Sequence, residues 1–225
     1  MTFSLAGRCA RTGMSGVAIT TSSISVGSRC PHARAGVGAV ATQNVTDPRL
    51  AGLVLDAMEA GQDAATAIAG VTQGREHIDY RQLTAVDRNG GTAHFTGGNI
   101  LGTNAVSDDT DCIAAGNLLS STAVPKAMTD AFAADSSLHL AERLLRGLEA
   151  GIAAGGEEGP VHSAALVVAH EMPFYLVDLR VDWEDDDPVA RLRDLWTAYE
   201  PQMPDYLARA LDPGAAPSYG VAGDP

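Results

Sequence analysis

The first half of the chain alternates apolar and polar positions in short runs, and the second half is paced by helical spacing. Phe3 to Gly7 is a strand, Arg11-Thr12-Gly13 a turn, and Ser15 to Ser22 a second strand, so the chain opens on a hairpin. "VGSRCPHAR" is a Gly/Ser/Pro loop, and the apolar run Gly36 to Gln43 is a third strand. Asp47-Pro48 signals a helix start. Leu50, Leu53, Val54, Ala57 and Met58 then recur at helical spacing. A second, Ala-rich helix begins near Asp63. "RQLTAVD" and "TAHFTG", joined through Asn89-Gly90, form another hairpin.

After Asp111 the pattern repeats. "CIAAGNLL" is apolar and extended, and Pro125 to Ala134 is helical. Leu138 to Ala154 carries Leu140, Leu144, Leu145 and Leu148 on one stripe. "HSAALVVAH" and "YLVDLRVDW" are paired strands, and "PVARLRDLWTAYE" is a helix preceded by the acidic run Glu184 to Asp187, which suits a helix N-terminus. Strand hairpins thus alternate with helix pairs. That order disfavours a doubly wound parallel sheet and predicts an α+β fold: two packed, mainly antiparallel sheets with helices on both outer faces. A single domain is expected over residues 1–212, followed by a flexible tail over 213–225 rich in Pro, Gly and Ala.

Composition changes this picture little. The chain has 225 residues, is 45% hydrophobic and carries a formal net charge of −13. That suits one ample core and argues against nucleic acid or an anionic membrane as partner. No run approaches the ~20 apolar residues of a membrane span, and Arg8 and Arg11 interrupt any signal-peptide pattern, so a cytoplasmic protein is expected. Cys9, Cys30 and Cys112 are too few and too widely spaced for a disulfide framework or zinc site and read as buried thiols.

"GVGAVA" at Gly36 to Ala41 matches a dinucleotide glycine pattern but lacks the strand before it and the helix after it, so no cofactor is expected. Ser107 to Asp111 crowds three carboxylates in what reads as a solvated loop. His162 and His170 share a strand face but lie about 26 Å apart, too far to share a metal, and none is expected. The Gly-Thr pairs at 91–92 and 102–103 read as turn and loop rather than as cleavage points.

"TFSLAGR" with "SGVAITTSS", then "PHARAGVGAVATQ", "FTG", "AAGNLL", "SAALVV" and "DLRVD", resemble in that order a bacterial family of unknown function with the N-terminal-nucleophile (Ntn) hydrolase-like fold. The resemblance runs from Thr2 to about Tyr199 and implies the four-layer αββα sandwich that proteasome subunits use. His162 stands where the family usually has Arg or Gln, and Gly97 to Asp111 departs from its pattern.

The resemblance gives position two a chemical meaning. If Met1 is removed, Thr2 carries a hydroxyl nucleophile and, on the same residue, an α-amine of pKa about 8 as its base. No Ser/His/Asp triad is then needed. A cation would assist, and Arg29 and Arg34 flank the loop that leads back to the first hairpin. Asn117, Gly97 and Gly98 are candidates to bind an oxyanion. Thr2, Arg34 and Asn117 are the site expected from sequence. Its activity would be cleavage of an amide bond in a small peptide or acyl-amino substrate. The alternative is a catalytically silent module that binds a small ligand or serves as an assembly subunit. A homo-oligomer, at least a dimer, is expected.

Overall fold

The computed structural model describes residues 2–221; Met1 and residues 222–225 lie outside the described residues. Among the described residues, ten strands form two antiparallel sheets. The larger holds β1 (Thr2–Arg8), β2 (Ser15–Thr21), β7 (Ala105–Asp109), β8 (Cys112–Asn117), β9 (Ser163–Ala169) and β10 (Tyr175–Val181), in the order β10-β9-β2-β1-β8-β7. The smaller holds β3 (Pro31–Arg34), β4 (Gly38–Asn44), β5 (Arg81–Asp87) and β6 (Thr92–Thr96), in chain order. β1 and β2 are central in the larger sheet, so the opening hairpin is buried on both faces.

Side-chain alternation sends each strand's residues to two different cores. From β1, Phe3 and Leu5 face α3 (Val124–Ala133) and α4 (Leu140–Ala153), in a cluster that α5 (Pro188–Tyr199) completes through Leu192 and Trp196. Ala6, with Val17 and Ile19 of β2, faces Ala39, Ala41 and Val86 of the smaller sheet. The outer face of that sheet buries Val40, Leu83 and Ala85 against α1 (Arg49–Glu59) and α2 (Ala64–Thr72). Gly147 and Gly151 let α4 settle onto β1: a Cβ at Gly147 would run into Leu5, and one at Gly151 would lie 2.9 Å from the Phe3 ring.

Helix starts follow the sequence signals. The Asp63 carboxylate accepts from Thr66 N at 2.7 Å, and Asp187 accepts from Val189 N at 3.0 Å and Ala190 N at 2.9 Å. Asp47 sits one residue too early to cap α1 from the N-cap position, but its carboxylate takes the Arg49 amide at 3.2 Å.

Three elements differ from expectation. β3 occupies part of the predicted loop: Pro31 is its first residue on a sheet edge, where a missing N–H costs no ladder bond. β7 occupies part of the predicted acidic loop, again on an edge, where Ser107, Asp108 and Asp109 meet water. A sixth helix, α6 (Met203–Leu211), follows α5 with Pro204 in its first turn. Of the predicted tail, residues 213–221 form no helix or strand, although the Arg209 guanidinium stacks on Tyr219 at 3.8 Å. Among the described residues, no helix is long and apolar enough to cross a membrane.

Candidate functional site

Thr2 begins β1 and lies directly across from Thr21 on one side and Asn117 on the other, while Thr21 lies across from Ser163. Asn117, Thr2, Thr21 and Ser163 therefore form one row across four adjacent strands. Ala6, Val17, Ile19, Ile113 and Val167 share its face and pack against the smaller sheet, so the row looks into the space between the sheets. All four residues are buried, and Thr2 retains 5% of its exposure.

The row is wired by hydroxyls. Thr2 Oγ1 lies 3.0 Å from Thr21 Oγ1, which lies 3.3 Å from Ser23 Oγ. The Arg29 guanidinium donates to Ser23 Oγ at 3.2 Å and is fixed by the Ile24 and Ser25 carbonyls at 2.6 and 2.9 Å. Ser163 Oγ donates to Ser23 O at 2.6 Å and accepts from Val26 N at 3.1 Å. A charged group thus reaches Thr2 through two hydroxyls rather than by direct contact.

An amide ladder supports the row from below. Ser4 Oγ donates to Gln43 Oε1 at 2.6 Å, Gln43 Nε2 donates to Gln82 Oε1 at 2.8 Å, and Asn117 Nδ2 donates to the same oxygen at 3.3 Å. Gln82 Nε2 donates to Gly116 O at 3.3 Å. Two buried acceptors here, Asn117 Oδ1 and Thr84 Oγ1, have no hydrogen-bond partner among the described residues. Native interiors rarely leave such atoms unpaired.

Backbone strain collects at this end of the sheets. Ser25, Asn44 and Leu118 hold φ of 56°, 70° and 50°. Each occupies the left-handed region that side chains other than glycine visit at a cost, and such residues concentrate at functional sites. Leu118 ends β8 immediately after Asn117 and turns the chain toward Glu157, which bridges Leu119. Glu157 is buried, and desolvation pushes its carboxyl up to about 8. On the other flank, His162 N donates to Thr21 O at 2.8 Å, and the His162 ring stacks on the half-exposed Trp183 at 4.4 Å.

Of the residues expected from sequence, Thr2 and Asn117 are brought together as cross-strand neighbours. Arg34 is not brought to them. It ends β3 at the opposite end of the sheets, where it pairs with Asp56 at 2.8 Å and Glu59 at 2.6 Å. Arg29, the other cation of that loop, is the one connected to Thr2. Gly97 N is spent on Arg81 O at 3.1 Å, and Gly98 is exposed. Gly36 to Ala41 forms a turn and strand β4, with α1 starting only at Arg49. Cys30 and Cys112 are buried thiols, pushed by desolvation to about 11 and about 12. Among the described residues, no three His, Cys, Asp or Glu side chains are grouped to hold a metal ion. The sequence reading missed Ser23, Ser163, Gln43, Gln82 and Glu157. The signal for Ser163, Gln43 and Gln82 was available: each is a polar residue that continues an otherwise apolar inward strand pattern at the strand end nearest Thr2.

These features define an α+β protein of two antiparallel sheets whose strand ends gather hydroxyl and amide groups into the space between them. The chain belongs to DUF1028, a family of unknown function, whose model matches residues 2–192. It is similar to the crystal structure of protein SPO2555 from Silicibacter pomeroyi, of the same family, with a TM-score of 0.84 and 31% identity, over 91% of this chain and 89% of that one. It also aligns with a Gly-1 mutant of Anbu from Hyphomicrobium sp. strain MC1, at a TM-score of 0.45 and 14% identity over 90% of this chain and 96% of that one. Anbu (ancestral beta-subunit) from Yersinia bercovieri aligns at 0.40 and 11%, over 89% and 96%. No curated protein matches the chain.

Proposed function

We propose that this chain has the four-layer αββα arrangement of Ntn hydrolases and cleaves an amide bond in a small peptide or acyl-amino substrate, with Thr2 as nucleophile once Met1 is removed. The observation that carries the reading is the buried row of Asn117, Thr2, Thr21 and Ser163 at the start of β1. Helices α3, α4 and α5 against one sheet, and α1 and α2 against the other, support the layering.

In this mechanism the freed α-amine of Thr2 takes the proton of Oγ1, and Oγ1 attacks the carbonyl carbon of the scissile amide. The carbon–nitrogen bond breaks as the leaving nitrogen takes that proton. Water then hydrolyses the resulting ester and restores Thr2. In this reading Asn117 Nδ2 binds the developing oxyanion, at the expense of its bond to Gln82. Thr21, Ser23 and Arg29 hold the Thr2 hydroxyl in orientation.

Intact mass of protein from its native host tests the first requirement: complete retention of Met1 ends the reading. Thr2→Ala is expected to abolish turnover of an amide library with the fold intact, and turnover at the wild-type rate would overturn it. A second reading, a catalytically silent module that binds a ligand or serves as an assembly subunit, is favoured by the burial of Thr2. Ligand binding without turnover by protein that begins at Thr2 would select it. We also propose a homo-oligomer, supported by exposed Phe174, Tyr206 and Leu211, and a monomer in gel filtration would overturn that.

A further inference from the structure

Glu157 lies just after α4 and is 7% exposed. Its neighbour Glu158 donates its amide to Leu118 O at 3.0 Å, and Ser120 donates to Gly156 O at 3.0 Å. Leu118 and Leu119 spend their own amides on Leu101 O and Thr103 O, toward β7. Residues 156–158 therefore pair with residues 118–120, just past the end of β8, on the side of β1. From the opposite flank the Ser22 backbone amide, one residue past Thr21, faces the Glu157 carboxyl group and counteracts its rise. Glu157 thus closes the gap between the ends of β8 and β2, ahead of the Thr2 nitrogen.

Neither carboxyl oxygen of Glu157 has a hydrogen-bond partner among the described residues. A buried carboxyl without partners is costly, and one held in place by its own backbone bridge calls for a donor. Asn117 Oδ1, on the residue directly across from Thr2, is a second buried acceptor left unpaired. An α-ammonium supplies three donors and a positive charge. Asp186 and Asp187 line the same surface depression as Glu157 and add negative charge on that side.

We propose that Glu157 is the positioning residue for the α-amino group that Thr2 exposes when Met1 is removed, pairing with it as carboxylate to ammonium and accepting one proton from it before catalysis. That transfer breaks one N–H bond, forms one O–H bond, leaves the nitrogen lone pair free to act as base and keeps the net charge of the pair unchanged. Burial supports it, since a carboxyl at about 8 is matched to an α-amine at about 8. The proton role rests on the hydrolase reading above; the pairing itself needs only a free Thr2.

Protein that begins at Thr2, obtained by cleaving an N-terminal fusion immediately before it, removes any dependence on cellular processing. The Thr2 α-amine is titrated by nitrogen-15 NMR in threonine-labelled wild type, Glu157→Gln and Glu157→Asp. The expected midpoint is at least one pH unit higher in wild type than in Glu157→Gln, with Glu157→Asp between them. Equal midpoints in folded wild type and Glu157→Gln would overturn the proposal. A second arm needs no variant: the Glu157 carboxyl carbon is titrated in wild type with and without Met1. Its midpoint is expected to fall by more than one unit when Thr2 is exposed, and an unchanged midpoint overturns the pairing. Retained Met1 in the native host, or turnover surviving Thr2→Ala, would instead sink the hydrolase reading and leave both titrations unaffected.

Discussion

One half of the space between the two sheets is filled by Val17, Ile19, Val86, Ile113 and Val167, and the other half by Thr2, Ser4, Thr21, Gln43, Gln82 and Asn117. The same strands build both halves. The apolar half is stabilised by removing hydrocarbon from water and tolerates approximate shapes. The polar half gains little from burial and depends on each donor meeting its acceptor, so a single lost partner leaves a costly orphan. Fold stability alone would favour continuing the valines and isoleucines to the strand ends. Hydroxyls and amides there, with unpaired acceptors and left-handed backbone beside them, are what makes that half the candidate site.

The comparison can be broken from either side. Ile19→Ala, in the apolar half, is expected to cost about 3 kcal/mol in urea unfolding while leaving the Thr2 hydroxyl network in place. An effect under about 1 kcal/mol would mean that half is loosely packed. Glu157 gives a signal at least as large. Its folded carboxyl titrates at about 8, well above the unfolded value near 4.5, so the native state holds the proton more tightly. That contribution to stability is complete below about pH 4.5 and is lost as pH rises to about 8. In protein that retains Met1, wild type should lose up to about 5 kcal/mol relative to Glu157→Gln over that window. Parallel stability curves would refute the raised value.

Gln82→Leu strands the Gln43 and Asn117 amides and should cost about 2 kcal/mol, although it adds apolar surface. Thr21→Val keeps the shape but cuts the link from Thr2 to Ser23, for about 1 kcal/mol. In the proposed mechanism it should also reduce turnover about tenfold. Arg34→Ala should cost under about 0.5 kcal/mol, because its two ion pairs lie on the surface, and should leave Thr2 chemistry unchanged. A loss of activity in that variant would reopen Arg34 as a member of the site.

Much of the framework was legible in the residues. Asn89-Gly90 announced one hairpin, the opening alternation another, and Asp187-Pro188 the start of α5. What escaped were elements whose composition is set by an edge or a surface rather than by a core. Pro31 looks like loop because only an edge strand tolerates its missing N–H, the carboxylates of β7 look like loop because the sheet presents them to water, and Pro204 hid α6 although a first-turn proline is compatible with a helix. Thr2 and Asn117 were readable as site candidates, and the fold makes them cross-strand neighbours. The choice between Arg29 and Arg34 was not, since it depends on which end of β3 faces the row. Glu157, in "AAGGEEGP", has the local appearance of a solvated turn, and only the bridge to Leu119 reveals that it is interior.

All four outermost strands carry ionic or polar groups. β10 holds the Asp178–Arg180 pair, β7 ends in Asp108 and Asp109, β3 ends in Arg34, and β6 presents His94 and threonines. A foreign strand adding to any of them would have to dehydrate those groups or meet like charge, a barrier to fibril growth and domain exchange. Copies of this chain that associate are expected to meet through helix and loop surfaces, each sheet staying within a single polypeptide.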